Sequence, residues 1–447
     1  MSRELSVVVL AAGMGTRMKS ALPKVMHKVA GKPMVNHVID TATKLNVAKT
    51  MVVVGPDMPQ LIASVSPHST FEQTDRRGTA HAVLAAKDAL IGLTGNVLVL
   101  YADSPLFTAE TLKRLVNARE AGDHAVAVLG FCPDDPTGYG RLITDPNHGG
   151  LIAIVEDKEC SDAQRAINFC NSGVMCFRAE TMIETLSAID NQNAKGEYYL
   201  TDAVEVACAA GQSCVAVEVD EDETLGVNSR SQLAVAEAIM QERLRETAMA
   251  NGATLIDPMS VFFSSDTKLG RDVIVEPHVV FGPGVTVGDD VMIQAFSHLE
   301  SCVVGDNADI GPYARLRPGA EIGVGARVGN FVEIKKSVVE DGAKVNHLSY
   351  IGDARVGAKA NIGAGTITCN YDGYRKYHTD IGAGAFVGSN SALVAPVKIG
   401  DGAIIGAGST ITGTVEADAL VIERAPRIDK AGWARLFREK MKALLGK

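Results

Sequence analysis

Two glycines separated by one residue follow an apolar run in Leu10-Ala11-Ala12-Gly13-Met14-Gly15-Thr16-Arg17, and Leu22-Pro23-Lys24 comes soon after. A glycine turn at a strand end lets main-chain N–H groups approach phosphates, while Arg17 and Lys24 neutralise charge that builds during phosphoryl or nucleotidyl transfer. Two other phosphate motifs are excluded. Met18 stands where the dinucleotide fingerprint needs its third glycine, and no G-x-x-x-x-G-K-[ST] occurs. A tight turn with surface cations is the competing reading of this motif taken alone. Further on, Val97–Asp103 sets a carboxylate just past a buried apolar run, where ligands bind in open α/β sheets and where Mg²⁺ finds a hard oxygen ligand. Asp103 as a helix cap before Thr108 is the alternative. Gln73 and Gly78-Thr79 precede a helical stretch beginning near Ala80, and a helix start suits a base or a phosphate.

A second group lies far downstream. Arg315, Arg317, Lys335 and Lys336 put cations into a glycine-rich stretch, with His347, Tyr350 and Asn361 close behind. An imidazole beside cations, a phenol and an amide in a glycine-rich wall reads as a candidate functional cluster. A purely structural role for this stretch is the competing reading.

Two different architectures must hold these residues. Residues 1–251 contain 17 glycines and residues 252–413 contain 25, so glycine density about doubles. In the first stretch the apolar runs Val7–Ala11, Met51–Val54 and Val97–Tyr101 alternate with longer helical patterns, which predicts a doubly wound α/β sheet. In the second, apolar residues recur every six positions at Leu269, Val275, Phe281, Val287, Ile293 and Leu299, again from Ile310 to Ile334, and again from Ile381 to Ile411. That period fits neither an α-helix nor a plain strand and predicts hexapeptide β-helix coils, three hexads to a triangular turn. Steps of eleven at Leu299 to Ile310 and Ile334 to Val345 read as slips of register. The nineteen-residue step from Ile362 to Ile381 contains CNYDGYRKYHTD and reads as a projecting loop. Ser231–Ala250 reads as a connecting helix capped by Ser231, and Gly432–Leu445 as an amphipathic tail that caps the last coil or reaches a neighbouring subunit.

Composition narrows the classes. With 46% hydrophobic and 21% charged residues the chain reads as globular, and no apolar run approaches a membrane span. A formal charge of −10 lacks the positive field that nonspecific nucleic-acid or anionic-membrane binding needs, so an anionic substrate must be held by local groups. The eight cysteines show no C-x-x-C and no zinc-type grouping with His, which predicts reduced, mostly buried thiols. The start MSREL and the stretch from Ser6 to Ala12 lack a signal-peptide pattern, so a cytoplasmic protein is expected.

LAAGMGTRM, LPKVMHKVAGKP, PTGYGR, GEYYLTDAV, LGVNSR and the region Asn346 to Thr379, followed over almost the whole chain, resemble the bacterial bifunctional N-acetylglucosamine-1-phosphate uridyltransferase / glucosamine-1-phosphate N-acetyltransferase family. The resemblance implies a Rossmann-like nucleotidyltransferase domain over 1–230, a linker helix over 231–251 and a left-handed parallel β-helix acetyltransferase domain over 252–447. In the first domain it implies contacts to UTP or UDP-N-acetylglucosamine from Leu10, Ala11, Ala12, Gly13, Lys24, Gln73, Gly78, Thr79, Tyr101, Ala102, Asp103, Gly140, Glu156, Asn171 and Asn228. It implies catalytic roles for Lys24 and Arg17 and Mg²⁺ held by Asp103 with Asn228. In the second domain it implies His347 as general base, with Arg317, Lys335, Tyr350 and Asn361 on the sugar phosphate and Ala364, Asn370, Tyr371, Ser389, Ala407 and Arg424 on acetyl-CoA. Glu333 is expected to orient His347. The segment Tyr374-Arg375-Lys376-Tyr377-His378 is more basic and aromatic than the family pattern leads one to expect.

The reading that results is a homotrimeric cytoplasmic enzyme that acetylates glucosamine-1-phosphate and then uridylylates N-acetylglucosamine-1-phosphate, with no nucleic-acid or membrane partner. Two others stand beside it: a sugar nucleotidyltransferase whose prism only assembles or regulates, and a nonenzymatic subunit of a translation-factor exchange complex.

Overall fold

Alternation along strand Leu5–Leu10 builds the first architecture: Val8 and Leu10 face one apolar core, Val7 and Val9 the other. In a computed structural model of the chain, which describes residues 4–445, this strand sits inside a nine-stranded sheet. From one edge the order is Ser69–Glu72, Lys49–Val54, Leu5–Leu10, Asn96–Tyr101, Cys170–Arg178, Val126–Phe131, Cys214–Glu218, Leu151–Val155 and Arg141–Thr144. The first four strands are parallel, as a doubly wound sheet requires. Beyond them the sheet is mixed, because Cys170–Arg178 enters antiparallel to both its neighbours and carries a register break between Asn171 and Met175. Helices Thr79–Leu84, Ala179–Ser187 and Ala203–Ala209 bury Val83, Met182, Leu186 and Val204 against one face. Helices Met34–Thr43 and Ala109–Ala121 bury Val38, Ile39, Leu112 and Leu115 against the other.

The chain divides into two compact units, Met1–Leu244 and Arg245–Lys447. The division falls within helix Arg230–Ala250. Its cap is Ser229 and not Ser231: the Gln232 N–H donates to Ser229 Oγ at 3.3 Å, while the Gln232 side chain reaches back to the Asn228 N–H at 2.9 Å.

In the second unit short parallel strands pair with strands one coil away. Ile274 is in register with Met292, Ile293 with Ile310, Ile310 with Val328 and Val328 with Val345, so a coil takes 18 or 17 residues. The eleven-residue steps are therefore coil walls shortened by one residue, and the interior side chains missing from the six-residue count are the buried Val304 and Val339. The long step is a loop, closed where the Tyr377 N–H donates to the Asn370 carbonyl at 2.9 Å, and Tyr374 stands 93% exposed on it. One corner carries stacked rings in successive coils, His278, Phe296, Tyr313 and Phe331, with centroids 4.8 to 5.0 Å apart and left-handed backbone at each. The tail forms helix Trp433–Leu445 with Trp433, Leu436 and Phe437 exposed, so it does not cap the last coil of its own chain. No helix among the described residues is long and apolar enough to cross a membrane.

The interior column is the main source of stability in this unit. Leu316, fully buried and stacked between Leu299 and Ile334, should lose about 2–5 kcal/mol on replacement by Ala. Calorimetry should show a lowered unfolding midpoint for Leu316→Ala and no such shift for Glu321→Ala, whose side chain points outward from the next wall.

Candidate functional site

The carboxyl ends of the first parallel strands open onto a cavity of about 250 Å³. Leu10, Ala11, Ala12, Gly13, Lys24, Gln73, Gly78, Thr79, Tyr101 and Asp103 line it, together with Val25, Arg76, Ala82 and Glu197, which the sequence reading did not single out. Gly78 sits at φ +118°, and a Cβ there would stand 2.3 Å from the Tyr198 carbonyl oxygen, so only glycine lets the two segments touch. That contact explains the GEYYLTDAV motif. Tyr198 takes the Ala80 N–H at 3.0 Å and the Leu200 N–H donates to Thr79 Oγ1 at 2.9 Å, so the motif clamps the start of helix Thr79–Leu84.

Asp103 and Asn228 lie far apart in sequence, and a backbone hydrogen bond of 2.8 Å from the Val227 N–H to the Asp103 carbonyl brings their segments together. Lys24 Nζ donates to Asn228 Oδ1 at 2.9 Å and pairs with Asp103 Oδ2. A carboxylate oxygen and an amide oxygen thus converge on one cation position. Such a donor set fits Mg²⁺, which takes hard oxygen ligands from one or two side chains and leaves room for phosphates. No group of three or more His, Cys, Asp or Glu suited to a metal occurs among the described residues. Asp103 is not a helix cap; Thr108 is, accepting the Thr111 N–H at 3.1 Å. Arg17 is exposed on the turn Thr16–Met18 and is not among the cavity-lining residues.

Gly140, Glu156 and Asn171 come together at the side of this site. The Asn171 N–H donates to the Gly140 carbonyl at 2.8 Å, and a Cβ on Gly140 would meet Glu156 Oε1 at 3.7 Å. Burial pushes the Glu156 carboxyl above its usual range and the Tyr101 hydroxyl likewise, the latter also facing the charges of Asp103 and Glu156. Arg141 of the GYGR motif is buried and pairs with Asp157 at 3.3 Å, pinning the turn that presents Glu156. Ala102 is buried behind Asp103.

On the β-helix, Arg317 Nη1 pairs with Glu333 Oε1 at 2.7 Å. Lys335 lies against Lys376 of the projecting loop; that contact, with some burial and the nearby Arg317 charge, lowers the Lys335 ammonium below its usual range. Arg317, Lys335 and Lys376 thus crowd together, with Glu333 paired to Arg317 and Asp353 the carboxylate that acts on Lys335. Tyr350 and Asn370 meet at Gly352, where a Cβ would touch the Tyr350 hydroxyl at 2.4 Å, and Asn370 Nδ2 donates to Asp353 at 2.6 Å. Asn361 stands on another wall, in register with Lys344 and Phe386. Tyr371 is exposed on the loop. Glu333 does not orient His347. It belongs to the wall of Arg315 and Tyr350, whereas His347 pairs in register with Asn330, whose Oδ1 is 2.7 Å from His347 Nδ1.

The remaining positions form a column. The Gly365 N–H donates to the His347 carbonyl at 3.2 Å, Asn390 N–H to Ala364 at 2.8 Å, Gly408 N–H to Ser389 at 2.8 Å, and Arg424 Nη1 to the Ala407 carbonyl at 2.8 Å. His347, Ala364, Ser389, Ala407 and Arg424 therefore climb one corner coil by coil, a track of about 19 Å at ~4.8 Å per coil.

Comparison with known proteins agrees with both halves. Residues 7–147 match the MobA-like NTP transferase domain, and residues 266–300 and 378–413 match the bacterial transferase hexapeptide (six repeats). Proteins named bifunctional protein GlmU from Rhodospirillum rubrum and Paramagnetospirillum magneticum are 61% and 58% identical to the chain, covering 99% of it and 99% and 98% of their own lengths. One from Jannaschia is 50% identical over 99% of the chain and 97% of its own length. The chain belongs to the bifunctional GlmU family. Like its GlmU relatives it joins a nucleotidyltransferase domain to a hexapeptide transferase domain, and the translation-factor reading falls.

Within this GlmU chain, sequence reasoning missed Arg76, Asn330 and Lys376. Arg76 Nε donates to the Ala12 carbonyl at 3.0 Å and braces the glycine turn. Lys376 lay in the segment noted as unusually basic, and counting back one 17-residue coil from His347 reaches Asn330.

The clamp motif carries its own pH signature. Burial, reinforced by the charges of Glu159, Glu205, Asp190 and Glu156, pushes the Asp202 carboxyl up to about 6. The folded chain holds this proton more tightly than an unfolded chain titrating near ~3.9, so the stabilisation is full below ~3.9 and is lost as pH rises through about 6. Thermal midpoints of Asp202→Asn should fall less than those of the parent between about pH 4 and about pH 7. Parallel profiles for the two proteins would contradict the buried-carboxyl geometry.

Proposed function

We propose that the chain acetylates glucosamine-1-phosphate with acetyl-CoA on its β-helix and then, in its first domain, transfers UMP from UTP to N-acetylglucosamine-1-phosphate, acting in the cytoplasm. The observation that carries this reading is two unlike constellations in one GlmU-family chain: oxygens converging on Lys24 at a cavity of about 250 Å³, and a histidine on the same β-helix as a cluster of crowded cations.

In the first domain a phosphate oxygen of N-acetylglucosamine-1-phosphate attacks the α-phosphorus of UTP; the bond to the β-phosphate oxygen breaks and pyrophosphate leaves. Leu10 to Gly13, Gln73, Gly78 and Thr79 hold the nucleotide at the glycine turn and helix start, and Gly140, Glu156 and Asn171 hold the sugar. Lys24 stabilises charge on the phosphates and on the leaving group. Asp103 and Asn228 would hold Mg²⁺, which would supply further charge neutralisation at the phosphates. Arg17, exposed beside the turn, is assigned to the incoming triphosphate by family position.

In the second domain Arg317, Lys335 and Lys376 hold the sugar phosphate, while Tyr350 and Asn361 orient the sugar. His347 takes a proton from the amine, the nitrogen attacks the thioester carbonyl, and the C–S bond breaks to release the CoA thiol. Acetyl-CoA extends along the corner from Ala364 past Ser389 and Ala407 to Arg424, with Asn370 and Tyr371 at the loop. Three copies of the chain assemble about the β-helix. The exposed apolar corner of Phe296, Tyr313, Phe331 and Leu348 supports this, since one chain leaves it in water.

Asp103→Ala should abolish pyrophosphate release and spare thiol release from acetyl-CoA, and His347→Ala should do the reverse. Chelating divalent metal should stop uridylyl transfer alone. Loss of both activities in either folded variant, or equal metal dependence of both, would sink the two-site assignment.

A further inference from the structure

What orients His347 is a separate matter from its role, and the inference here rests on the reading of His347 as the acetyl-transfer base. Asn330 lies one coil earlier, its register partner on strands Arg327–Asn330 and Lys344–His347, with Asn330 Oδ1 2.7 Å from His347 Nδ1. An amide oxygen only accepts a hydrogen bond, so the imidazole proton sits on Nδ1 and the lone pair is left on Nε2. We propose that Asn330 is the positioning residue that fixes this tautomer and the orientation of the ring, so that Nε2 receives the proton of the attacking amine.

The backbone that carries this amide is fixed on both sides of Asn330. The preceding Gly329 allows the two strands to approach so closely that a Cβ there would stand 2.0 Å from the Asn346 carbonyl oxygen. The following Phe331 has left-handed backbone, φ 56°, and its ring stacks on Tyr313 with centroids 5.0 Å apart. His347 is fixed from the other side, its carbonyl accepting from Ser349 Oγ at 2.8 Å and from the Gly365 N–H at 3.2 Å. The nearest carboxylate candidate from sequence, Glu333, is engaged with Arg317 on the adjoining wall. A neutral amide also suits the substrate: it orients the base without adding negative charge beside a seat built for a phosphate-bearing sugar.

The test uses the full chain with Asn330→Ala, Asn330→Asp and His347→Ala, reading kcat and KM for glucosamine-1-phosphate acetylation, uridylyl transfer as the folding control, and the His347 tautomer by imidazole nitrogen NMR. Asn330→Ala should lower kcat on the order of 10²-fold with KM little changed and uridylyl transfer intact, because a misdirected base loses its near-attack geometry. The tautomer should shift toward Nε2–H, and Asn330→Asp, which restores an acceptor, should recover most of kcat and the Nδ1–H form. Where the Ala variant loses uridylyl transfer as well, Asn330→Leu, close in size and lacking an acceptor, gives the same readout. A variant without the acceptor that keeps the parent kcat or the parent tautomer, or loses only in KM, overturns the proposal. An active His347→Ala would remove the base reading and this inference with it, whereas an inactive His347→Ala beside a fully active Asn330→Ala would remove the positioning role alone.

Discussion

Parallel strands hydrogen-bonded in register are the constraint on which both halves of this molecule depend. In the first unit, Leu5–Leu10 lies between Lys49–Val54 and Asn96–Tyr101, all running the same way, so the glycine turn after Leu10 and the carboxylate of Asp103 emerge at the same edge. In the second, the ladder between coils carries residues 17 or 18 apart in sequence to adjacent places in space. Main-chain bonding alone stacks Asn330 under His347 and Ala364 above it, before any side chain is considered.

Side-chain chemistry then exploits that placement with opposite electrostatics in the two sites. Around Lys24 a single ammonium satisfies two oxygens, the pair that the proposed function assigns to a divalent cation. Around Lys335 the cations outnumber their partners, since Glu333 answers Arg317 while Lys376 crowds Lys335. The first arrangement brings a carboxylate and an amide oxygen to one cation, and the second brings positive groups together. Both leave water access, in keeping with small polar substrates that enter and leave.

Much of this was legible in the sequence because the fold repeats short patterns. The six-residue train of Leu269 to Ile411 announced the prism, and the apolar runs ending at Leu10 and Tyr101 announced the parallel strands with their ligand edge. What could not be read was contact across long separations. The antiparallel entry of Cys170–Arg178 follows from tertiary pairing, since its apolar run suits either direction. Glu333 is expected beside His347 from alternating positions and the family pattern, but at 14 residues it falls short of a full coil and lies on another wall, whereas Asn330, 17 residues back, is the register partner. Ser229 takes the place expected for Ser231 as helix cap because its hydroxyl accepts the Gln232 N–H while the Gln232 side chain returns to the Asn228 N–H.

The central claim is that one chain couples two transfers, acetyl then uridylyl, through sites built on its two architectures. The most direct measurement supplies purified protein with glucosamine-1-phosphate, isotope-labelled acetyl-CoA, UTP and Mg²⁺ and identifies the sugar nucleotide by mass spectrometry. The account predicts UDP-N-acetylglucosamine bearing the labelled acetyl group, with free CoA and pyrophosphate released in equal amount. A sugar nucleotide without the label, or an acetylated sugar phosphate that is never uridylylated, would contradict it.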